Sequence, residues 1–173
     1  MSKLLALDIA TNVGSARLVR GQVPTFETLK LDGPDLTFKC GKLQAWLFAE
    51  YEREPFDGIA WERPILTPKD TVDLLELLYG LVGIVYGFIG SLRQDGIHLV
   101  WCEVSIDDVK RAVCGGPTKV DPATGNRRKI DKDDMLAAAR RGMGWRVVTH
   151  HEADAGGVGL VAYERLWPKR IAA

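Results

Sequence analysis

Four polar side chains stand where apolar runs of the chain give way to polar ones, and their types point to hydrolytic chemistry on a phosphate. Asp8 closes the run "KLLALDIA" and Glu62 closes "FDGIAWE". A lone acid at a strand end is ordinarily a solvated terminus or a helix cap; two of them after strongly apolar runs suggest a shared purpose. The segment "HHEADAGGVGLVA", residues 150–162, adds His151 and Asp154, three apart and so on one face of a helix. Thr149 and Glu152 form the T-x-x-E capping box that starts this helix, which gives Glu152 a structural task and removes it from the catalytic set. Taken singly, Asp154 in a first turn is favoured by the helix dipole, and His151 is compatible with a surface role.

Brought to one edge of a core, Asp8, Glu62 and Asp154 would repel one another and shift upward in pKa unless a cation neutralised them. All-oxygen ligation suits Mg²⁺ or Mn²⁺, whereas zinc would want cysteines or further histidines at ligand spacing. Two such ions about 4 Å apart can clamp a scissile phosphate, one activating water and the other stabilising the leaving oxygen. His151 would then orient or deprotonate that water, or ligate one metal itself, and the residue types leave both roles open.

The elements that must position these groups follow from the hydrophobic period. "KLLALDIA", "GSARLVRG" and "PTFETLKL" are three short strands in succession, which predicts an antiparallel meander. Leu36, Cys40, Leu43 and Leu47 then share one helical face. "FDGIAWE" is a buried strand, stopped by the proline that follows Glu62. After it come a long helix from Lys69 to Gln94, the strand "IHLVWCE", a short helix around Asp107 to Val113, and a loop. A helix from Asp131 to Arg141, the strand "WRVVT" and a last helix complete the chain. This order predicts an α/β fold, a mixed sheet with helices on its faces. On the last helix the stripe His151, Ala155, Val158 and Ala162 is the one expected to meet the sheet.

The long helix is apolar almost all round over Leu77 to Leu92, with glycines at 80, 83, 87 and 90. A membrane span needs roughly 20 apolar residues, and this shorter run is crowded by Asp73, Glu76 and Arg93. A buried helix of a soluble protein, with no membrane partner, is the expectation. Its glycines predict close packing on the sheet and against a second subunit, hence a homodimer through helix 69–94.

At 173 residues the chain has the length of one domain, 1–173, with its own hydrophobic core. The 46% hydrophobic and 27% charged content excludes disorder and a disulfide scaffold. Cys40, Cys102 and Cys114 form no CxxC pair and leave an odd count, which fits a reducing cytoplasmic setting. Net charge is zero, but Lys110 to Arg141 holds nine basic and four acidic residues, a local excess of +5 that the rest of the chain balances. Such segregation suits a nucleic-acid backbone; a solvated helix face is the commoner cause of a charge run.

Four stretches share an order with a known family. "LALDIATNVGSA" ends a strand in an acid before a glycine turn, in the D-x-A-T form. "IAWERP" carries a second acid. "VKRAVCGG" followed by "DKDDM" sets two lysines around a glycine turn. In "HHEADAGGVGLVA" an H-x-x-D pair opens the final helix. Over nearly the whole chain these resemble RuvC-type Holliday junction resolvases, in their phage-type form, within the ribonuclease H-like superfamily. The resemblance implies a ribonuclease H-like five-stranded mixed sheet, three antiparallel strands and then parallel ones, with helices on both faces. It implies catalytic or metal-binding roles for Asp8, Glu62, His151 and Asp154, and Mg²⁺ or Mn²⁺, two ions per site, as cofactor. It further implies DNA-backbone roles for Lys110 and Lys132, and a homodimer that cuts two strands of a four-way junction symmetrically in a bacterial or phage-infected cell.

Pro117 to Lys129 is an insertion relative to that pattern, and Ala10 and Thr11 replace a common Pro-Gly. With Arg111 and Lys119, the residues Arg127, Arg128 and Lys129 complete the candidate DNA-binding set, the last three as a mobile basic tip, with a solubilising loop as the alternative. The rival functions are a nuclease for flapped or otherwise branched DNA, a ribonuclease H, and a non-catalytic dimeric DNA-binding module. Two-domain ATPases of related fold also begin with a strand, Asp and a glycine turn, but they close a second domain over the nucleotide. Against the non-catalytic module stands the cost of burying acids without a metal.

Overall fold

Side-chain alternation along the first strand decides the layout of the molecule. In the computed structural model, which describes residues 1–65 and 71–168, β1 (Lys3–Asp8) buries Leu5 and Leu7 in one hydrophobic cluster and Leu4 and Ala6 in another. Both faces of its sheet are therefore covered, as an unbroken apolar run requires. β1 pairs antiparallel with β2 (Asn12–Val19), which pairs antiparallel with β3 (Thr25–Lys30). On its other side β1 pairs parallel with β4 (Gly58–Glu62), and β4 pairs parallel with β5 (Val100–Val104). The sheet order is β3-β2-β1-β4-β5, the expected five-stranded mixed sheet.

One face carries α1 (Leu36–Arg53) and α2 (Val72–Gln94), whose Leu43, Leu47, Val85 and Phe88 meet Leu5, Leu7, Ile59 and Trp61. The other carries α3 (Ile106–Cys114), α4 (Lys132–Arg141) and α5 (His150–Leu166), packed on Leu4, Ala6, Ala16 and Ala60. The expected stripe on α5 is found: Ala155, Val158 and Ala162 are fully buried. Small residues let this helix lie close to its neighbours. A Cβ added at Gly159 would stand 2.3 Å from Leu18, and one at Gly157 2.7 Å from Val109.

Three expectations are corrected. "WRVVT" forms no strand. Trp145 and Val147 are buried, but the carbonyls of Val147 and Val148 accept from the Arg140 guanidinium at 2.9 and 3.1 Å, and the Val148 amide donates to Glu152. With its backbone groups taken by side chains, the stretch has little left to offer a ladder. The insertion is no structureless tip, for β6 (Thr118–Val120) and β7 (Arg127–Lys129) pair as an antiparallel hairpin. Finally, α2 is only half buried. It is long and apolar enough to cross a membrane by length and composition alone, yet one face packs on α1 and the sheet while Tyr79 and Tyr86 are exposed. Its glycines do not line the packed face as expected. A Cβ at Gly80 would lie 3.2 Å from Leu36, but among the described residues nothing stands within 4 Å of that position at Gly83, Gly87 or Gly90. The predicted start of this helix at Lys69 lies outside the described residues.

Candidate active site

Strand parity carries the two strand-end acids to the same side of the sheet. Asp8 follows Leu4 and Ala6, and Glu62 follows Gly58 and Ala60; Leu4, Ala6 and Ala60 all lie in the cluster under α5. Parallel pairing matches Leu7 with Trp61, so the next residues along, Asp8 and Glu62, end neighbouring strands side by side.

The first turn of α5 is brought to those acids by two devices. Thr149 caps the helix and Glu152 completes the capping box, while the Glu152 carboxylate also accepts from Thr28 Oγ1 at 2.9 Å and from the Val148 amide at 2.6 Å. Glu152 is buried in this network, as its structural task predicts. The second device is Gly14, the pairing partner of Asp8 on β2. A Cβ there would stand 2.0 Å from the His151 carbonyl oxygen, so only glycine lets the helix settle at this height over the sheet. In the sequence Gly14 reads as the glycine of a turn after Asp8, whereas it lies within β2, where glycine weakens pairing unless another backbone comes close.

The resulting cluster is tight on one side. His151 Nδ1 and Asp8 Oδ2 are 2.5 Å apart, with the two side chains 17% and 15% exposed. With Nδ1 facing a carboxylate, Nε2 is the nitrogen left for other chemistry. Burial, and then the charges of Asp8 and Asp154, push the Glu62 carboxyl up to about 8, against a partial offset from Lys110. Burial and the charge of Asp8 likewise raise Asp154 to about 7, partly offset by His151, Lys110 and Lys132. The upward shift expected of converging acids is thus present at Glu62 and Asp154.

These donors suit a hard divalent cation: three carboxylates and a histidine, with Glu62 and Asp154 raised by burial and by the neighbouring carboxylates. As the side chains lie, no three of them among the described residues stand together in a ready-made metal-ligand group. The site fits the cation by its chemistry, with the carboxylates still to be drawn together.

Asp8 and Glu62 open into a cleft of about 730 Å³ that Lys110, Thr118 and Lys129 also line, with Ile9 and Ile65 among its apolar walls. Of the other basic candidates, Lys132 is the first residue of α4 and acts on Asp154. Arg127 is exposed on the hairpin. Arg111 lies elsewhere, bonded to Asp108 at 2.8 Å beside a separate groove with Leu160 and Val161. Lys119 and Arg128 are turned to α4, where both bond Asp134.

No protein-family model and no curated protein matches the sequence. Solved structures do match the fold. RuvC of Thermus thermophilus superposes with a TM-score of 0.68 at 17% identity, over 95% of this chain and 96% of that one. T. thermophilus RuvC in complex with a Holliday junction substrate gives a TM-score of 0.69 at 14% identity, over 96% and 97%. The yeast mitochondrial Holliday junction resolvase gives 0.59 at 12% identity, over 91% of this chain and 75% of that one.

Proposed function

We propose that this chain, which has the ribonuclease H-like fold of the RuvC-type resolvases, is a metal-dependent endonuclease that hydrolyses phosphodiester bonds in four-way DNA junctions. The observation that carries the reading is the gathering of Asp8, Glu62, Asp154 and His151 at one end of the sheet, where Asp8 and Glu62 open into a cleft that Lys110 also lines. A buried cluster of this kind is costly unless positive charge compensates it, and a phosphate-cleaving site supplies that charge. The fold, shared over nearly the full length of solved junction resolvases, favours branched DNA over other phosphodiesters.

Asp8, Glu62, Asp154 and His151 would hold Mg²⁺ or Mn²⁺, and a pair of such ions would supply charge neutralisation at the phosphate and an activated water. Asp8 holds the His151 ring by Nδ1, leaving Nε2 to accept a proton from the attacking water or to serve as a ligand. Lys110 lies beside Glu62 and would offset the charge of the backbone phosphate next to the bond that breaks. The open face of α2 is the surface we assign to homodimer contact, which would let two sites act on a two-fold symmetric junction. The free cysteines Cys40, Cys102 and Cys114 fit a reducing cytoplasm, and strand cutting at junctions belongs to DNA recombination and repair.

One gel decides most of this. Synthetic four-way junction, flap, linear duplex and RNA–DNA hybrid are incubated with the protein and Mg²⁺. Preferential junction cutting, lost on chelation, is expected. Preference for the flap or the hybrid would move the assignment to one of those nucleases, and binding without cutting under any metal would leave a DNA-binding module.

A further inference from the structure

The hairpin β6–β7 has two chemically different faces, and its register sorts them. Lys119 pairs with Arg128, while Thr118 pairs with Lys129 and Val120 with Arg127. Alternation puts Lys119 and Arg128 on one face and the other four residues on the opposite one. The first face is a latch. Lys119 Nζ bonds Asp134, Arg128 reaches Asp134 at 2.7 Å and Asp131 at 2.9 Å, and the Asp134 side chain is only 10% exposed. Burial would raise the Asp134 carboxyl, but the bonds from Lys119 and Arg128 outweigh it and hold the group down at about 2. Below the hairpin Ile130 is buried in the core, and its amide donates to the Pro117 carbonyl at 3.0 Å. The hairpin is thereby closed at its base and fixed against α4 by its inner face.

The opposite face is free of such partners among the described residues. Thr118 and Lys129 line the cleft that Asp8 and Glu62 open into, and Arg127 and Val120 continue the same face outward into solvent.

We infer that the β6–β7 hairpin is a rigid wall of the catalytic cleft whose outer face, through Lys129 and Arg127, grips backbone phosphates flanking the one to be cut, while Lys119 and Arg128 serve only to lock it to Asp134. This rests on the nuclease reading and adds a second, non-equivalent use of four basic residues in one short insertion. The ligand is a nucleic-acid strand entering beside Glu62. Two of the four cations would release counterions on binding it, and the two already neutralised by Asp134 and Asp131 would not.

Two double variants that remove equal charge separate these roles. Both are made in an Asp8→Asn background, so that binding to a labelled four-way junction is measured without cutting, across a salt series. Lys129→Gln with Arg127→Gln is expected to weaken binding and to reduce the slope of log affinity against log salt by roughly 1 per residue. Lys119→Gln with Arg128→Gln is expected to leave that slope unchanged, although it lowers the thermal midpoint of the protein. Equal slopes for the two variants, or a loss only in the second, would overturn the inference. If the Asp8→Asn protein itself binds no DNA at low salt, the nuclease reading fails first, and it fails separately from the hairpin. Circular dichroism of each variant confirms that a lost slope is not a lost fold.

Discussion

His151 Nδ1 stands 2.5 Å from Asp8 Oδ2, which joins the first turn of α5 to the end of β1 and fixes which imidazole nitrogen remains for chemistry. A carboxylate on Nδ1 orients the ring and fixes its tautomer. In the proposed site Asp8 would therefore act twice, as one of its acids and as the support of its histidine. Asp8→Asn is expected to abolish Mg²⁺-dependent junction cleavage while leaving junction binding largely intact. His151→Gln keeps a donor near Asp8 but no basic nitrogen, and a loss of roughly 10²- to 10⁴-fold in kcat is expected with little change in affinity. Undiminished cutting by either protein in a single-turnover assay would sink the assignment.

Gly14→Ala tests whether the height of α5 over the sheet matters to the site. The new methyl would meet the His151 backbone oxygen at 2.0 Å, and a backbone atom inside a capped first turn does not yield cheaply. The expected cost is about 1–3 kcal/mol in denaturant unfolding, with cleavage reduced beyond what the unfolded fraction explains. Gly157→Ala is the control. Its methyl would meet Val109 and Val113 on α3, so it is expected to destabilise the fold comparably while the folded protein keeps cutting. Equal activity per folded molecule in the two variants would show that Gly14 has no part in placing His151.

The elements that carry the candidate site residues were legible because each rests on a local rule. An apolar run that ends in an acid gives a strand end, and T-x-x-E gives a helix start and takes Glu152 out of the set. Gly14 was not legible, since its role exists only once β2 is paired with β1 and α5 is laid across both. "WRVVT" shows why a period of two is not sufficient. Its alternate burial is real, but Arg140 and Glu152 hold the backbone groups that a strand would need, and those contacts come from flanking helices. The hairpin went unread for the opposite reason. "RRK" has no apolar residue to set a period, and its partners, Lys119 across the ladder and Asp134 on α4, are non-local. On α2 the glycines were expected both on the sheet and against a second subunit; among the described residues only Gly80 meets a neighbouring element, because an almost uniformly apolar helix does not mark which side faces the core.

The metal-free protein is expected to lose stability as pH rises from about 4 to about 8. Glu62 is lifted from 4.5 to about 8 and Asp154 from 3.8 to about 7 in the folded state. Between those limits the folded chain holds protons that the unfolded chain has released, so stability falls with a slope of up to ~1.4 kcal/mol per pH unit for each group. The loss is complete above the folded pKa values. Glu62→Gln is expected to flatten the profile, and Mg²⁺ to raise the thermal midpoint more at pH 8 than at pH 5, since the ion competes with protons. A midpoint in chelator that is flat over this range, and the same in both proteins, would contradict the reading of these two acids.

The open face of α2 yields the last prediction. Exposed Tyr79 and Tyr86 flank Gly83 and Gly87, and among the described residues nothing stands within 4 Å of where a Cβ would lie at Gly83, Gly87 or Gly90. Glycine within a helix costs roughly 1 kcal/mol relative to alanine, a cost that a close helix partner offsets and open water does not. A second copy of α2 laid on this face is the arrangement that uses the glycines together with Tyr79, while Tyr86 is already held by Glu103, Trp61 and Trp101 at its border. Gly87→Arg is expected to leave the monomer folded, since its side chain enters open space, and to turn a concentration-dependent dimer into a monomer in sedimentation. The same variant should still nick a junction but lose the paired, near-simultaneous cutting of opposed strands, read from the yield of ligatable product. A wild-type protein that stays monomeric at every concentration, yet cuts both strands together, would remove α2 from the mechanism.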